Sequence, residues 1–258
     1  MEEELDNFNM SKDLGTLIVT GGSHGIGAAV ARMGAALGYS ICINYLTSTN
    51  EAKELVELID RDGGIAIAVQ GDVSVEADVK TLFAEAEHKL GPITGLVNNA
   101  GISGGRFSVS ELDLVNLQRV MDVNVIGSFL CSREAINRMS MAKGGKGGAI
   151  VNISSQAAQF GGDHLSHYAA SKAALNTLTI GLSREVCGEG IRVNAVSPGV
   201  IDTGNVSVSH ENDIANMQSI IPLGRMGHPD EVASTVLWLL SDAASYVIGA
   251  VLPVAGGR

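Results

Sequence analysis

The stretch Thr16-Leu17-Ile18-Val19-Thr20-Gly21-Gly22-Ser23-His24-Gly25-Ile26-Gly27 decides the fold. An aliphatic run, Thr16–Thr20, leads into glycines spaced as G-x-x-x-G-x-G, and Ile26–Ala36 behind them has helical period. Glycine at Gly21, Gly25 and Gly27 lets the chain turn tightly, lets a pyrophosphate approach without a side chain between, and lets the helix pack close to the strand. The helix N-terminus then offers free N–H groups and the positive end of a dipole to phosphates. Ser23, His24 and Ile26 complete the loop; on these residues alone, a glycine-rich strand-to-helix turn with no ligand is the other reading.

Outward from this unit, short aliphatic runs alternate with helical segments, the pattern of parallel strands joined by crossover helices. Strands are expected at Thr16–Thr20, Ser40–Tyr45, Ile65–Gln70, Gly95–Asn98, Ala149–Ile153, Arg192–Val196 and Val251–Pro253, and helices at Ile26–Ala36, Glu51–Arg61, Glu76–Lys89, Leu112–Met139, Ser166–Cys187 and Asp230–Ser241. Neither a repeat nor a linker divides them. The fold class is therefore α/β: one doubly wound parallel sheet of about seven strands flanked by helices, as a single domain over residues 14–258. Lys143–Gly148 reads as a turn, whereas Asp202–Gly227 is long enough for a lid or substrate-binding element.

Composition narrows the function classes. With 45% hydrophobic residues the chain can fill tightly packed layers, and a net charge of −11 argues against a nucleic-acid partner, which would need a concentrated basic face. Cys42, Cys131 and Cys187 are widely spaced and unpaired in sequence, so no disulfide framework or metal site is expected, and a reducing, cytoplasmic setting fits. Met1–Asp13 is acidic, with neither a basic start nor an apolar run, and is expected to be a solvated tail rather than a signal. No stretch is apolar and long enough for a membrane.

Three places carry chemistry. The second strand ends Asn44-Tyr45-Leu46-Thr47-Ser48 with no carboxylate before Glu51, whereas dinucleotide folds that prefer NAD usually place an acid there. The Thr47 and Ser48 hydroxyls can serve a 2′-phosphate, which favours NADP (NADPH) and leaves NAD possible. Tyr168 and Lys172, four apart on a helix, share one face. A neighbouring ammonium is expected to lower the phenol from its usual value of about 10 towards the neutral range. Ser154 and Ser155 close the fifth strand at the carboxyl edge of the sheet, where open α/β sheets bind ligands. A serine there can hold a carbonyl oxygen while Tyr168 protonates it, or can simply cap the strand.

With these motifs in place the chain resembles the short-chain dehydrogenase/reductase family, whose fold is a Rossmann-type sheet. The likeness runs from Leu14 to Arg258 and is nearest to 3-oxoacyl-acyl-carrier-protein reductases and glucose-dehydrogenase-like members. The family's cofactor loop looks like Thr20–Gly27, its adenine-side motif like Gly71-Asp72-Val73, and its sheet motif like Asn98-Asn99-Ala100-Gly101. The resemblance puts the catalytic tetrad at Asn124, Ser155, Tyr168 and Lys172, with Ser155 chosen over Ser154 by the family's interval of thirteen residues to the tyrosine. It gives Lys172 a second role on the nicotinamide ribose and brings Pro198-Gly199, Ile201 and Thr203 to the carboxamide. His24 departs from the family, whose NADP users often carry Arg or Lys there. His164 and His167 are candidates for the substrate wall.

The resemblance implies an enzyme that moves hydride between a nicotinamide and a ketone or alcohol, with carbonyl reduction by NADPH favoured, a small-molecule substrate, no metal, and a homotetrameric assembly. The other class weighed is a non-catalytic regulatory or scaffold protein that binds nucleotide on the same fold.

Overall fold

The computed structural model of the chain describes residues 14–204 and 220–258. The acidic start Met1–Asp13 and residues 205–219 of the long loop lie outside the described residues. Seven strands form one sheet: β1 (Thr16–Val19), β2 (Ser40–Tyr45), β3 (Ile65–Gln70), β4 (Ile93–Asn98), β5 (Gly148–Ile153), β6 (Ile191–Pro198) and β7 (Val251–Val254). Every pairing is parallel and the order is β3-β2-β1-β4-β5-β6-β7. The chain starts in the middle of the sheet, builds one edge, then crosses back and builds the other. The crossovers part between β1 and β4, which opens a crevice at the carboxyl ends of the strands.

Helices α1 (Gly25–Ala36), α2 (Thr49–Arg61), α3 (Glu76–Leu90), α4 (Leu114–Met121), α5 (Gly127–Met139), the short α6 (Ala157–Phe160), α7 (Ser166–Val186) and α8 (Pro229–Leu240) complete the described elements of this kind. Strand alternation divides the core in two. Leu17 and Val19 pack with Val30, Val236 and Leu237 on one face. Ile18, between them, packs with Phe83, Leu96 and Met139 on the other. All four β1 residues are buried, as a central strand covered on both sides requires.

Cys42 and Cys131 sit in this core as free thiols, each pushed by burial up to about 12, while Cys187 is free and exposed just past α7.

One expectation fails. The single helix read over Leu112–Met139 starts at Leu114 and is interrupted at Asp122–Ile126 by a turn of π-helix. The wider turn carries Asn124 into the interior, fully buried, and Gly127 follows it because a side chain there would meet Val73. Among the described residues no helix is long and apolar enough to cross a membrane.

Candidate active site

The glycine loop is held by a small set of side chains. Thr20 Oγ1 accepts the N–H groups of Asn99 and Ala100, both at 3.0 Å, and the Asn99 carboxamide donates to the carbonyls of Thr20 and Gly21 at 2.9 and 2.8 Å. Thus the segment after β4 is tied to the one after β1. Gly21 takes φ +58°, a left-handed conformation that favours glycine. Gly27 is pressed under the loop: a Cβ there would lie 2.6 Å from both Asn99 Nδ2 and the Gly21 carbonyl. Asn44 donates to Gly71 O at 3.0 Å, so its amide braces β2 against the chain leaving β3. The N-terminus of α1 has no side-chain cap, which leaves its amides to a ligand.

These residues line one end of a cleft of about 570 Å³ that runs along the carboxyl edge of the sheet. Of the residues assigned in the sequence to the cofactor or the catalytic tetrad, all line it except Gly27, which packs beneath the loop, and Asn124, which lies behind the wall.

At the far end stand Ser155, Tyr168 and Lys172. The neighbouring serines point to different partners. Ser154 Oγ donates to Lys172 O at 3.2 Å and is spent on fastening β5 to α7. Ser155 Oγ accepts the Ala157 N–H at 3.1 Å, and Ser155 and Tyr168 line the cleft together, near enough for the serine to pull the phenol's pKa down. Lys172 Nζ donates to Ile153 O at 2.8 Å and lies over the Tyr168 ring, 5.8 Å from its centre. A Cβ on Gly101 would come within 3.1 Å of that ammonium, so a glycine keeps the cleft open above it.

The electrostatics correct one expectation. Burial raises the Tyr168 phenol above its ordinary value, and the hydrogen bond from Ser155 opposes this only in part. The lysine is itself buried, lowered to about 8 by desolvation, and commits a proton to a backbone carbonyl. In the chain alone, desolvation thus sets the direction of the phenol's shift, upward rather than towards the neutral range.

Asn124 grips the backbone of Ile102 from both sides, accepting its N–H at 2.8 Å and donating to its carbonyl at 2.9 Å, and donates to Ser171 Oγ at 2.9 Å. At the other end of the cleft, Asp72 accepts from Ser74 and from Arg119, the latter at 2.8 Å. Burial would raise its carboxyl, but the hydrogen bonds from Ser74 and Arg119 and the guanidinium charge together hold it below the usual carboxylate range.

Sequence reasoning missed Arg119, Ile102 and Ser103, which also line the cleft. No motif marks them, since a helix and a loop bring them in. His167 is buried and His164 exposed, and neither lines the cleft. Among the described residues no group of three or more His, Cys, Asp or Glu side chains converges as a metal site would require.

Comparison with known proteins agrees with this geometry. A family model described as enoyl-(acyl carrier protein) reductase matches residues 21–258. The chain is 45% identical over 244 residues to the uncharacterized oxidoreductase YgfF of Escherichia coli strain K12, covering 93% of this chain and 98% of that one. It is 39% identical over 251 residues to glucose 1-dehydrogenase 2 of Bacillus subtilis strain 168, covering 96% of each. Among solved structures, a blue fluorescent protein from a metagenomic library, in complex with NADPH, superposes with a TM-score of 0.88 at 35% identity, covering 96% of this chain and 99% of that one. The relatives named for an activity are oxidoreductases, and nothing in the comparisons supports a non-catalytic scaffold.

Proposed function

The chain belongs to the short-chain dehydrogenase/reductase family and is an NAD(P)-dependent oxidoreductase acting on CH–OH or C=O groups; from this premise we propose that it reduces a small ketone with NADPH, using Tyr168 as its acid. One observation carries the reading. Ser155 and Tyr168, with Lys172 beside the phenol ring, line the same cleft whose other end is the glycine loop.

The cleft suits a dinucleotide. Gly21, Ser23, Gly25 and Ile26 with the uncapped end of α1 would take the pyrophosphate, Asp72 and Val73 the adenine side, and Asn99, Ala100 and Gly101 the middle. Ile201 and Thr203 would take the carboxamide, and Lys172, opposite the gap left by Gly101, the nicotinamide ribose. When bound, the nicotinamide supplies the hydride. The chain's own groups do the rest: Ser155 donates to the carbonyl oxygen and fixes it beside Tyr168, and Tyr168 passes its proton to that oxygen as negative charge builds there. Burial keeps the phenol protonated near neutral pH but makes it a weaker acid, so release of the proton relies on positive charge beside it. Lys172 and a cationic ring together favour the phenolate left behind, and oxidation reverses the path.

NADPH preference is supported by the lack of a carboxylate among Leu46, Thr47 and Ser48, which line the cleft where an adenosine 2′-group would lie. An NADPH-bound structural neighbour supports it as well. A cytoplasmic setting is supported by the free thiols, and a homotetramer by the exposed apolar residues Ile126 at the end of the π turn, Phe129 on α5 and Ile180 on α7.

The test is fluorescence titration of the purified protein with NADPH and NADH, followed by turnover of a ketone panel that includes acetoacetyl-coenzyme A and a cyclic ketone. NADPH should bind at least about tenfold more tightly, a margin of about 1.4 kcal/mol. Tyr168→Phe should keep that affinity and lose at least about a hundredfold in kcat. Equal affinity for both cofactors would overturn the preference, and undiminished turnover in Tyr168→Phe would overturn the acid.

A further inference from the structure

Beyond Tyr168 the cleft is walled by the chain leaving β4, which has no regular secondary structure over 99–107. Ile102 and Ser103 face the cleft and are exposed, so this wall needs anchors to hold a shape. Asn124 supplies one at Ile102, and Asn116 Nδ2 supplies another by donating to Gly104 O at 2.7 Å. The third comes from the helix that carries the acid. His167, 4% exposed and next to Tyr168, places Nε2 2.9 Å from Ser103 O. Because a carbonyl only accepts, Nε2 is the nitrogen that bears the proton.

The loop is shaped to meet this imidazole. Gly104 has φ +74°, and a Cβ there would run into Val120 and Asn116 and sit 3.2 Å from His167 Nε2. On the outer side, the Phe107 ring is tilted against the His167 ring with centres 6.5 Å apart. The Phe107 N–H donates to His164 O at 2.9 Å, and the His164 backbone there is left-handed at φ 56°.

We infer that His167 is a positioning residue. Its hydrogen bond to Ser103 fastens the substrate-facing wall to the helical turn bearing Tyr168, so that wall and phenol move as one body. The flank of the ketone that does not react rests on Ile102 and Ser103, and removing the tie loosens substrate binding while the cofactor's contacts stay intact. This role rests on the oxidoreductase reading above, but the tie itself can be measured without turnover.

The experiment compares parent, His167→Leu and His167→Gln as full-length protein. In His167→Leu, amide hydrogen exchange at Ile102 and Phe107 should quicken about five- to tenfold, the order that one net hydrogen bond supports, while the amides of β5 exchange at the parent rate. With NADPH and the best ketone of the panel, KM should rise by about the same factor, kcat should change less, and NADPH affinity should stay within about twofold. His167→Gln, whose amide nitrogen reaches close to the Nε2 position, should restore both. Unchanged exchange at Ile102 and Phe107 overturns the proposal. So does faster exchange with an unchanged KM, and so does a glutamine variant that behaves as the leucine one. A parent that turns over no ketone counts against the activity proposed above, and the exchange comparison then decides the tie by itself.

Discussion

At the scale of single residues, the site concentrates its cost at Lys172, an ammonium held in the interior with its pKa lowered from 10.5 to about 8. Below about 8 the folded and unfolded chains both carry the proton, and the folded one bears the full desolvation penalty. Between about 8 and 10.5 the unfolded chain binds more protons, so the cost of burying this group shrinks as pH rises. Lys172→Met in the cofactor-free protein should therefore melt above the parent at pH 7, by at most about 3 kcal/mol. The gap should shrink as melts are repeated towards pH 10. A gap that stays constant with pH would mean that the lysine is not carrying a buried charge. The tyrosine and lysine were legible in the sequence because both sit on one helix, where spacing alone sets their relation. The phenol's upward shift was not, since burial is a property of the assembled layers.

At the scale of elements, Arg192 shows how one strand stabilises a helix remote in sequence. From the start of β6 its guanidinium donates to the carbonyls of Leu239, Leu240, Ser241 and Ala244, at 2.6, 3.0, 3.1 and 3.2 Å, and so satisfies the end of α8. Arg192→Met should lower stability by about 2–4 kcal/mol, read as a shifted urea midpoint with an unchanged slope. Arg192→Lys should recover only part, because a single ammonium cannot reach four acceptors. Strand and helix positions were legible within a few residues, since period and glycine punctuation are local. The π turn at Asp122–Ile126 was not, because the Asn124 carboxamide it delivers is partnered by Ile102, on a loop 22 residues away, and not by anything local. Arg119 escaped for the same reason: it reaches Asp72 across 47 residues, from a helix whose own sequence shows only an amphipathic face.

At the scale of the whole molecule, the alternation of strands and helices conveyed a parallel sheet, whereas the strand order with β1 inside it emerges only from the assembled structure. If Phe129, half exposed on α5, is covered by a second copy as proposed, Phe129→Asp should reduce the mass measured by light scattering to that of a smaller species while each subunit stays folded by circular dichroism. A parent that runs as a monomer would refute the assembly. The cysteines give the protein a further property. With two thiols sealed in the core and Cys187 open at the far end of α7, a maleimide dye should attach once to the native protein and three times after denaturation. That single dye would sit roughly 28 Å along the helix from Tyr168, on the opposite rim of the sheet, where it can report on ligand arrival by energy transfer without touching the chemistry.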